Sequence, residues 1–316
     1  MLEMEELITV AVIAYNSEKT IIETLDSINN QTYNKKNIEI IISDDGSSDN
    51  TLSLSREWKE LYSDRFHVVK IVSHDKNKGV TANCNQAWKL ATGYWIKTIA
   101  ADDLLLPDCI DLNVNYCIEH PATNVLFSNM VSFNQLGQEE IIKHDVHKMS
   151  CTLEKQYINL LTECYLLAPT SFIKKKAFID IGYGDQTYPM IEDYPLWLKF
   201  LIKGYRLDYL NKETVRYRKG DTLSQQETRI GSIIYFESLY SFQKEKLWPL
   251  LPPRLWFKKW DDVVLFYQRF FWIKAFGNKI NKPYVFFKTL LFLVRPYRVY
   301  TYLNNAIKKK KASHES

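Results

Sequence analysis

From Leu7 to Ile99 four short apolar runs alternate with three segments of helical period, which leaves few topologies open. Leu7 to Tyr15 is nearly continuous and β-branched, as a strand buried on both faces requires. Ile38 to Ser43, Phe66 to Ser73 and Tyr94 to Ile99 read the same way. Between the first two, Ile21, Ile22, Leu25 and Ile28 form the apolar stripe of a helix predicted from Glu18 to Gln31, with Ser17 as its cap. A second helix is predicted through Trp58 and Leu61, and a third from Val80 to Leu90. Strands separated by single helices form parallel βαβ units with right-handed crossovers. The expected class is therefore α/β, a mostly parallel sheet flanked by helices.

The pattern beyond Ile99 is more mixed. Strands are predicted at Val125 to Asn134, Ser171 to Ile173, Leu207 to Leu210 and Glu213 to Arg218. Helices are predicted at Glu154 to Tyr165, Lys174 to Ile181, and Glu192 to Lys203 with Gly204 as the stop. At Gly231 the composition changes: residues 231–302 hold 21 of the 44 aromatics, interleaved with Lys and Arg. The chain is accordingly read as a sheet domain, 1–230, and a helical extension, 231–316, aromatic and basic. The formal charge is +4, yet residues 283–316 alone carry +6, so the remainder is slightly acidic. Five cysteines without CxxC spacing point to free thiols and a cytoplasmic setting. MLEMEELITV lacks the features of a signal peptide, and no apolar run is long enough to span a bilayer.

Three polar segments stand where strands should end: AYNSE from Ala14, SDDGSSDNT from Ser43 and AADDLLLP from Ala100. Ligands of open α/β sheets bind beyond the carboxyl ends of the strands, so these three converge on one crevice. Asp102 and Asp103 offer carboxylate oxygens of the kind Mg²⁺ and Mn²⁺ prefer and share with substrate phosphates. A solvated loop with a helix cap is the other use of such a pair. Asp44 and Asp45 can accept hydrogen bonds from a nucleobase imide or a ribose hydroxyl, or serve only as turn residues. Tyr15 and Asn16 are placed to flank the same base. Glu192 and Asp193 open a predicted helix, where the dipole favours an ionised carboxylate. Such a group can act as a general base or simply balance the helix terminus.

Taken together, ITVAVIAYNSEKTIIETLDSINNQTY, IEIIISDDGSSDNT, NKGVTANCNQAWKLATGYWIKTIAADDLLLP and MIEDYPLWLKFLIKGY resemble the family-2 glycosyltransferases over roughly Leu7 to Ser224. The resemblance implies the GT-A fold and a nucleotide-sugar donor, usually UDP-linked. It also implies Mn²⁺ or Mg²⁺ as cofactor and inversion at the anomeric carbon. Carried over by position, it places Ala14, Tyr15 and Asn16 around the nucleotide, with Asp44 accepting from uracil and Asp45 beside it. Asp102 matches the closing Asp of the metal-binding DxD signature and Asp103 the acid after it. Asp193 matches the base of the family's ED motif, with Glu192 orienting or binding the acceptor. Two positions depart: Ala100 stands where the opening Asp is usual, and Cys84 where an Arg is common. Lys76, Lys78 or a residue elsewhere in the chain can replace that Arg at the donor phosphate. The segment YRKGDTLSQQ lacks the frequent His, so Arg218 and Lys219 are the candidates to neutralise the pyrophosphate.

The extension, rich in Phe, Leu, Trp and Lys, has the composition of a membrane-interface segment. The seven cations between Lys288 and Lys311, with no acid among them, favour anionic lipid over nucleic acid. The expected arrangement is a packed helical pair at residues 231–276 and a membrane-facing end from Pro283. With the resemblance, this points to a cytoplasmic enzyme, peripheral at the inner face of the cell membrane. It would extend a polyprenyl-pyrophosphate-linked saccharide in bacterial surface polysaccharide synthesis. The alternatives are a protein or soluble glycan acceptor, or a catalytically silent sugar-nucleotide-binding protein.

Overall fold

Every residue of β1 (Ile8–Ala14) except Ile13, and every residue of β2 (Ile38–Asp44), is buried, so both strands lie inside the sheet. The computed structural model describes residues 6–134, 136–220 and 229–303, which fall into two units, Met1–Lys219 and Gly220–Ser316. The first unit continues from β1 through α1 (Ile21–Asn29), β2, α2 (Thr51–Tyr62), β3 (Val68–Ser73), α3 (Val80–Leu90), β4 (Trp95–Ala100) and β5 (Leu104–Leu105). There follow α4 (Cys109–Glu119), β6 (Val125–Phe133), β7 (Glu139–Ile142), α5 (Val146–Met149), α6 (Leu153–Thr162) and β8 (Phe172–Lys174). The unit closes with α7 (Lys175–Ile181), α8 (Asp193–Ile202) and β9 (Leu207–Arg218). The second unit contains α9 (Ile233–Phe242), α10 (Phe257–Phe276) and α11 (Lys282–Leu290).

The sheet order is β3-β2-β1-β4-β8-β6-β9-β5, with β7 beside β6. The first four strands are parallel, as the strand–helix alternation requires, and β6 pairs parallel with β9. Strand β8 runs antiparallel to both β4 and β6, joining the two parallel halves. Ile8, Val10 and Val12 of β1 share a core cluster with Ile38, Ile40 and Ile42 of β2 and with Ile21, Leu25 and Ile28 of α1. The period of two on the strands and of 3.6 on the helix thus meet in one buried layer.

Two local expectations are corrected. Helix α1 starts at Ile21, and Ser17 does not cap it: its hydroxyl donates to the Tyr15 carbonyl and its amide to Thr51 Oγ1 at 2.7 Å. Ser17 is spent on binding two loops together, so the helix begins one turn later. The strands predicted at 207–210 and 213–218 form one strand, β9, because irregular register opposite Phe127 to Met130 absorbs the polar break between them. Met1 to Glu5, residues 221–228 and residues 304–316 lie outside the described residues. The outlying parts include the end of YRKGDTLSQQ and the Lys308–Lys311 run.

Candidate functional site

Three strand ends come side by side, as register demands. Ala14 of β1 pairs with Asp44 of β2, and Ile13 pairs with Ala100 of β4. Neighbouring strands lie about 4.8 Å apart, so AYNSE, SDDGSSDNT and AADD share one rim. The first two loops are laced together. Asn16, at φ 49°, donates its amide to Ser47 Oγ at 2.8 Å and accepts from the Ser48 amide at 2.9 Å. Glu18 donates its amide to Asp49 Oδ2 at 3.1 Å, and its carboxylate accepts from Asn50. Tyr15 takes no part in the lacing and stands half exposed at the crest.

Asp44 and Asp45 are both buried, and both are occupied. Asp44 accepts from the Ser47 amide and hydroxyl and from Ser73 Oγ at 3.0 Å. Asp45 accepts from the amides of Lys78 and Gly79, each at 2.9 Å. Asp45 thereby fastens the loop before α3 to the end of β2. Gly46 is required between them: its φ is +71°, and an added Cβ would meet the Lys76 backbone at 2.8 Å. The side chains of Lys76 and Lys78 stay exposed on this rim, where Cys84 is buried and cannot replace an arginine.

Helix α3 then carries the connection to the acid pair. An added Cβ at Gly79 would strike the Pro189 carbonyl at 2.7 Å, so the two backbones touch. Thr81 donates its hydroxyl to the Tyr188 carbonyl at 2.8 Å. Asn85 clasps Gly184 with two bonds, accepting from its amide at 2.8 Å and donating to its carbonyl at 3.0 Å. Asn83, fully buried, accepts from Ser43 Oγ and donates to the carbonyls of Ala14 and Ser43, pinning β1 to β2. Sequence reasoning missed these α3 residues, although NKGVTANCN carried a signal: Thr81 and Asn85 stand four residues apart, on one face of a helix that buries both.

Glu192 and Asp193 stand half-buried at the start of α8. Burial and the neighbouring Asp193 charge push Glu192 up to about 8. Burial also raises Asp193, whose Oδ1 accepts from the Tyr194 amide at 2.6 Å. Glu192, Asp193 and Asp45 all lie close enough to Cys84 for their charges to add to burial in raising its thiol. Gly79 and Thr81 at the start of α3 thus join the second strand end to the segment just before the acid pair.

The third strand end holds two unlike carboxylates. Asp103 is buried and accepts from the Arg218 amide at 2.8 Å; burial first, then the Asp102 charge, raises it well above the usual range. Beneath it Lys97 is also fully buried, donating to the Pro169 and Ser171 carbonyls, with burial lowering its affinity for the proton. Asp102 is half-buried and raised by burial, and no described side chain donates to its carboxylate. Its carbonyl accepts from Arg218 Nε at 2.8 Å, and the guanidinium also binds Glu23. Arg218 is thus brought to the site, but as a clamp on the segment that follows β4. Lys219 points elsewhere, its ammonium 2.7 Å from Glu140 of β7. Ala100 is exposed at the rim.

Among the described residues no three His, Cys, Asp or Glu side chains gather into a metal cage. An Asp102 carboxylate with no side-chain partner, beside a second buried acid, nevertheless fits a hard cation that takes most of its ligands from a substrate diphosphate and water. Among the described residues no helix is long and apolar enough to cross a membrane.

Comparison with known proteins gives the family and the fold. Residues 9–182 match the model of the family described as glycosyl transferase family 2. A relative from Bacillus subtilis, the putative glycosyltransferase EpsE, is 34% identical over 123 residues, 39% of this chain and 42% of its own length. The chain thus matches less than half of that relative. The Escherichia coli UDP-Glc:alpha-D-GlcNAc-diphosphoundecaprenol beta-1,3-glucosyltransferase WfaP is 30% identical over 67% of this chain and 77% of its own. The solved mannosyltransferase PcManGT from Pyrobaculum calidifontis, in complex with GDP-Man and Mn²⁺, superposes with a TM-score of 0.57. It covers 95% of this chain and 84% of its own at 17% identity, which establishes the fold alone.

Proposed function

Because this chain belongs to glycosyl transferase family 2, we propose that it moves a hexose from a UDP-linked donor to a lipid-linked saccharide with inversion at the anomeric carbon. The observation that carries the reading is the run of contacts from Asp45 through Gly79 and Thr81, at the start of α3, to Pro189 and Tyr188, just before Glu192 and Asp193. Tyr15 offers an exposed ring for the base, and the Asn16–Ser48 lacing holds that ring's loop in place. Asp44 ends the neighbouring strand opposite Ala14, and Asp45 holds the 76–79 loop to that strand end. Asp102, with Asp103 behind it, is the residue to hold Mn²⁺ or Mg²⁺. The ion would supply positive charge against the diphosphate as it leaves. Arg218 fixes the backbone that presents Asp102, and Lys219 is assigned only a surface ion pair.

In the transfer, an acceptor hydroxyl oxygen attacks the anomeric carbon from the face opposite the diphosphate. The new carbon–oxygen bond forms as the bond to the diphosphate breaks, and Asp193 takes the hydroxyl proton. Glu192, raised to about 8, is protonated at neutral pH and can donate a hydrogen bond to the acceptor while Asp193 remains the base. A polyprenyl-pyrophosphate acceptor and a peripheral membrane location are supported by the name of the WfaP relative and by the basic, aromatic extension.

The test is release of nucleoside diphosphate from a panel of nucleotide sugars with Mn²⁺, with and without a polyprenyl-pyrophosphate saccharide. One UDP-sugar should be turned over, and faster with the acceptor. Tight binding of a nucleotide sugar with no release under any condition would favour the silent binding protein, a reading to which the missing acid at Ala100 lends weight.

A further inference from the structure

Helix α10 is arranged opposite to a helix of a water-soluble core. Its buried residues are Lys258, Asp261, Asp262, Gln268 and Trp272. Its exposed stripe, at spacings of seven and four residues, is Trp260, Tyr267 and Phe271, each more than half exposed. The polar interior is not accidental, because its charges are used. Asp262 binds Lys258 and accepts from Trp248 Nε1 at 3.1 Å and Gln243 Nε2 at 3.2 Å. Asp261 accepts from the amides of Tyr297 and Arg298, each at 3.0 Å, and so caps the helical residues 296–303. Buried acids satisfied in this way hold the C-terminal leg against α10 and leave the aromatics outside.

Segments that touch both ends of α10 carry further exposed apolar side chains. Trp260 donates its indole N–H to the Val294 carbonyl at 2.8 Å, beside Leu293, which is 75% exposed. At the other end Trp272 contacts Phe276 and Phe287 at centroid distances of 4.7 and 5.5 Å, and Phe286 on α11 is 66% exposed. Soluble proteins rarely leave such a patch to water. Its charge is one-sided: residues 263–303 include seven Lys or Arg and no acid. Lys274, Lys279, Lys282, Lys288 and Arg298 are exposed among the aromatics. An apolar face studded with cations matches an anionic lipid surface, which supplies hydrocarbon beneath a layer of negative charge.

We propose that the outward face of α10, α11 and the 291–294 turn lies flat on an anionic bilayer as the membrane-docking surface of this chain. The inference rests on the lipid-linked acceptor reading only for its purpose, since the face itself stands on exposure and charge. It also moves the docking surface upstream of the Pro283 end expected from sequence, to include Trp260, Tyr267 and Phe271.

The experiment is co-sedimentation of the full chain with vesicles of phosphatidylcholine alone and of phosphatidylcholine with one-third phosphatidylglycerol, with solution mass measured in parallel. The wild-type chain should bind the anionic vesicles and leave the neutral ones in the supernatant. A variant with Phe271→Ser, Phe286→Ser and Leu293→Ser should bind at least tenfold more weakly, with an unchanged far-ultraviolet spectrum. Charge reversal by Lys279→Glu, Lys282→Glu and Lys288→Glu provides a second variant whose altered side chains are all exposed, and it should weaken binding similarly. Equal binding by wild type and both variants would overturn the proposal. So would a solution dimer that the serine variant dissociates, because a second copy would then be the occupant. Nucleotide-sugar turnover in the same samples separates the two readings. Loss of vesicle binding with turnover intact strikes only the docking face, and vesicle binding without turnover strikes only the enzymatic reading.

Discussion

The DDGSSDN loop and the start of α8 each carry two adjacent acids, and they use them in opposite ways. Asp44 and Asp45 are buried and accept hydrogen bonds from Ser47, Ser73, Lys78 and Gly79, so their charge is spent on holding loops. Glu192 and Asp193 are half-buried, and their only described bond of this kind is the local one from the Tyr194 amide. Their charge is therefore poorly compensated, and both carboxyls are held above the usual range. A saturated carboxylate builds a site, whereas an unsaturated, desolvated one remains reactive. In the AADD segment the Arg218 amide bonds Asp103, whose carboxyl burial nevertheless raises well above the usual range, while no described side chain donates to Asp102.

This contrast predicts different outcomes for similar substitutions. Asp102→Ala should remove nearly all transfer while the melting temperature stays put, because its side chain holds nothing in place. Metal titration of the residual activity is the check. Chelator-resistant activity in the wild type, or near-normal activity in the variant, would remove Asp102 from the unsaturated class. Asp193→Asn should lower kcat by roughly 10²–10⁴, the usual range for a general base, and leave nucleotide-sugar affinity unchanged. Lost affinity with an unchanged rate at saturating donor would instead make Asp193 a binding residue.

Asp45→Ala should act first on stability. It leaves the Lys78 amide without an acceptor, at about 1–3 kcal/mol when such a group is buried, and takes one of two acceptors from the Gly79 amide, which keeps Asn77 Oδ1 at 3.0 Å. Gly79 is buried and Lys78 is exposed, so the lower half of that range applies to Lys78. Denaturant unfolding should show the loss, and an unchanged midpoint would mean that the loop does not depend on this carboxylate.

The smallest effect distinguishes the acid pair by pH. Glu192 has a folded-state pKa of about 8 against an ordinary 4.5. Its contribution to stability is full below about 4.5 and is lost as pH rises through about 8. Glu192→Gln cannot ionise, so the variant should melt a few degrees above the wild type at pH 9 and show no such advantage at pH 5. A constant difference across that window would show that Glu192 titrates normally. In the activity profile, the same change should erase any ionisation near pH 8.

Much of the first unit was legible in the chain. Strand β1 and helix α3 lie within one residue of where their apolar periods put them, because burial on two faces leaves a local pattern. The start of α1 was misplaced because the Ser17 amide is taken by Thr51, thirty-four positions away, and no local cap rule sees that partner. Lys97 was invisible for a similar reason: a lysine in a strand reads as solvent-facing until the carbonyls of Pro169 and Ser171 close over it. On α10 the aromatic content was plain, but the sequence did not separate the buried acids from the exposed rings.

Sequence alone determined the strand–helix alternation and the presence of acids at three strand ends. It also determined the family, since residue order and spacing are local and additive along the chain. Tertiary structure decided which acids are free to react. Asp45 is bonded by amides 33 and 34 positions away, and Asp103 by one 115 positions away. Desolvation and hydrogen bonding together set the reactivity of a carboxylate, and both depend on what the fold brings against it.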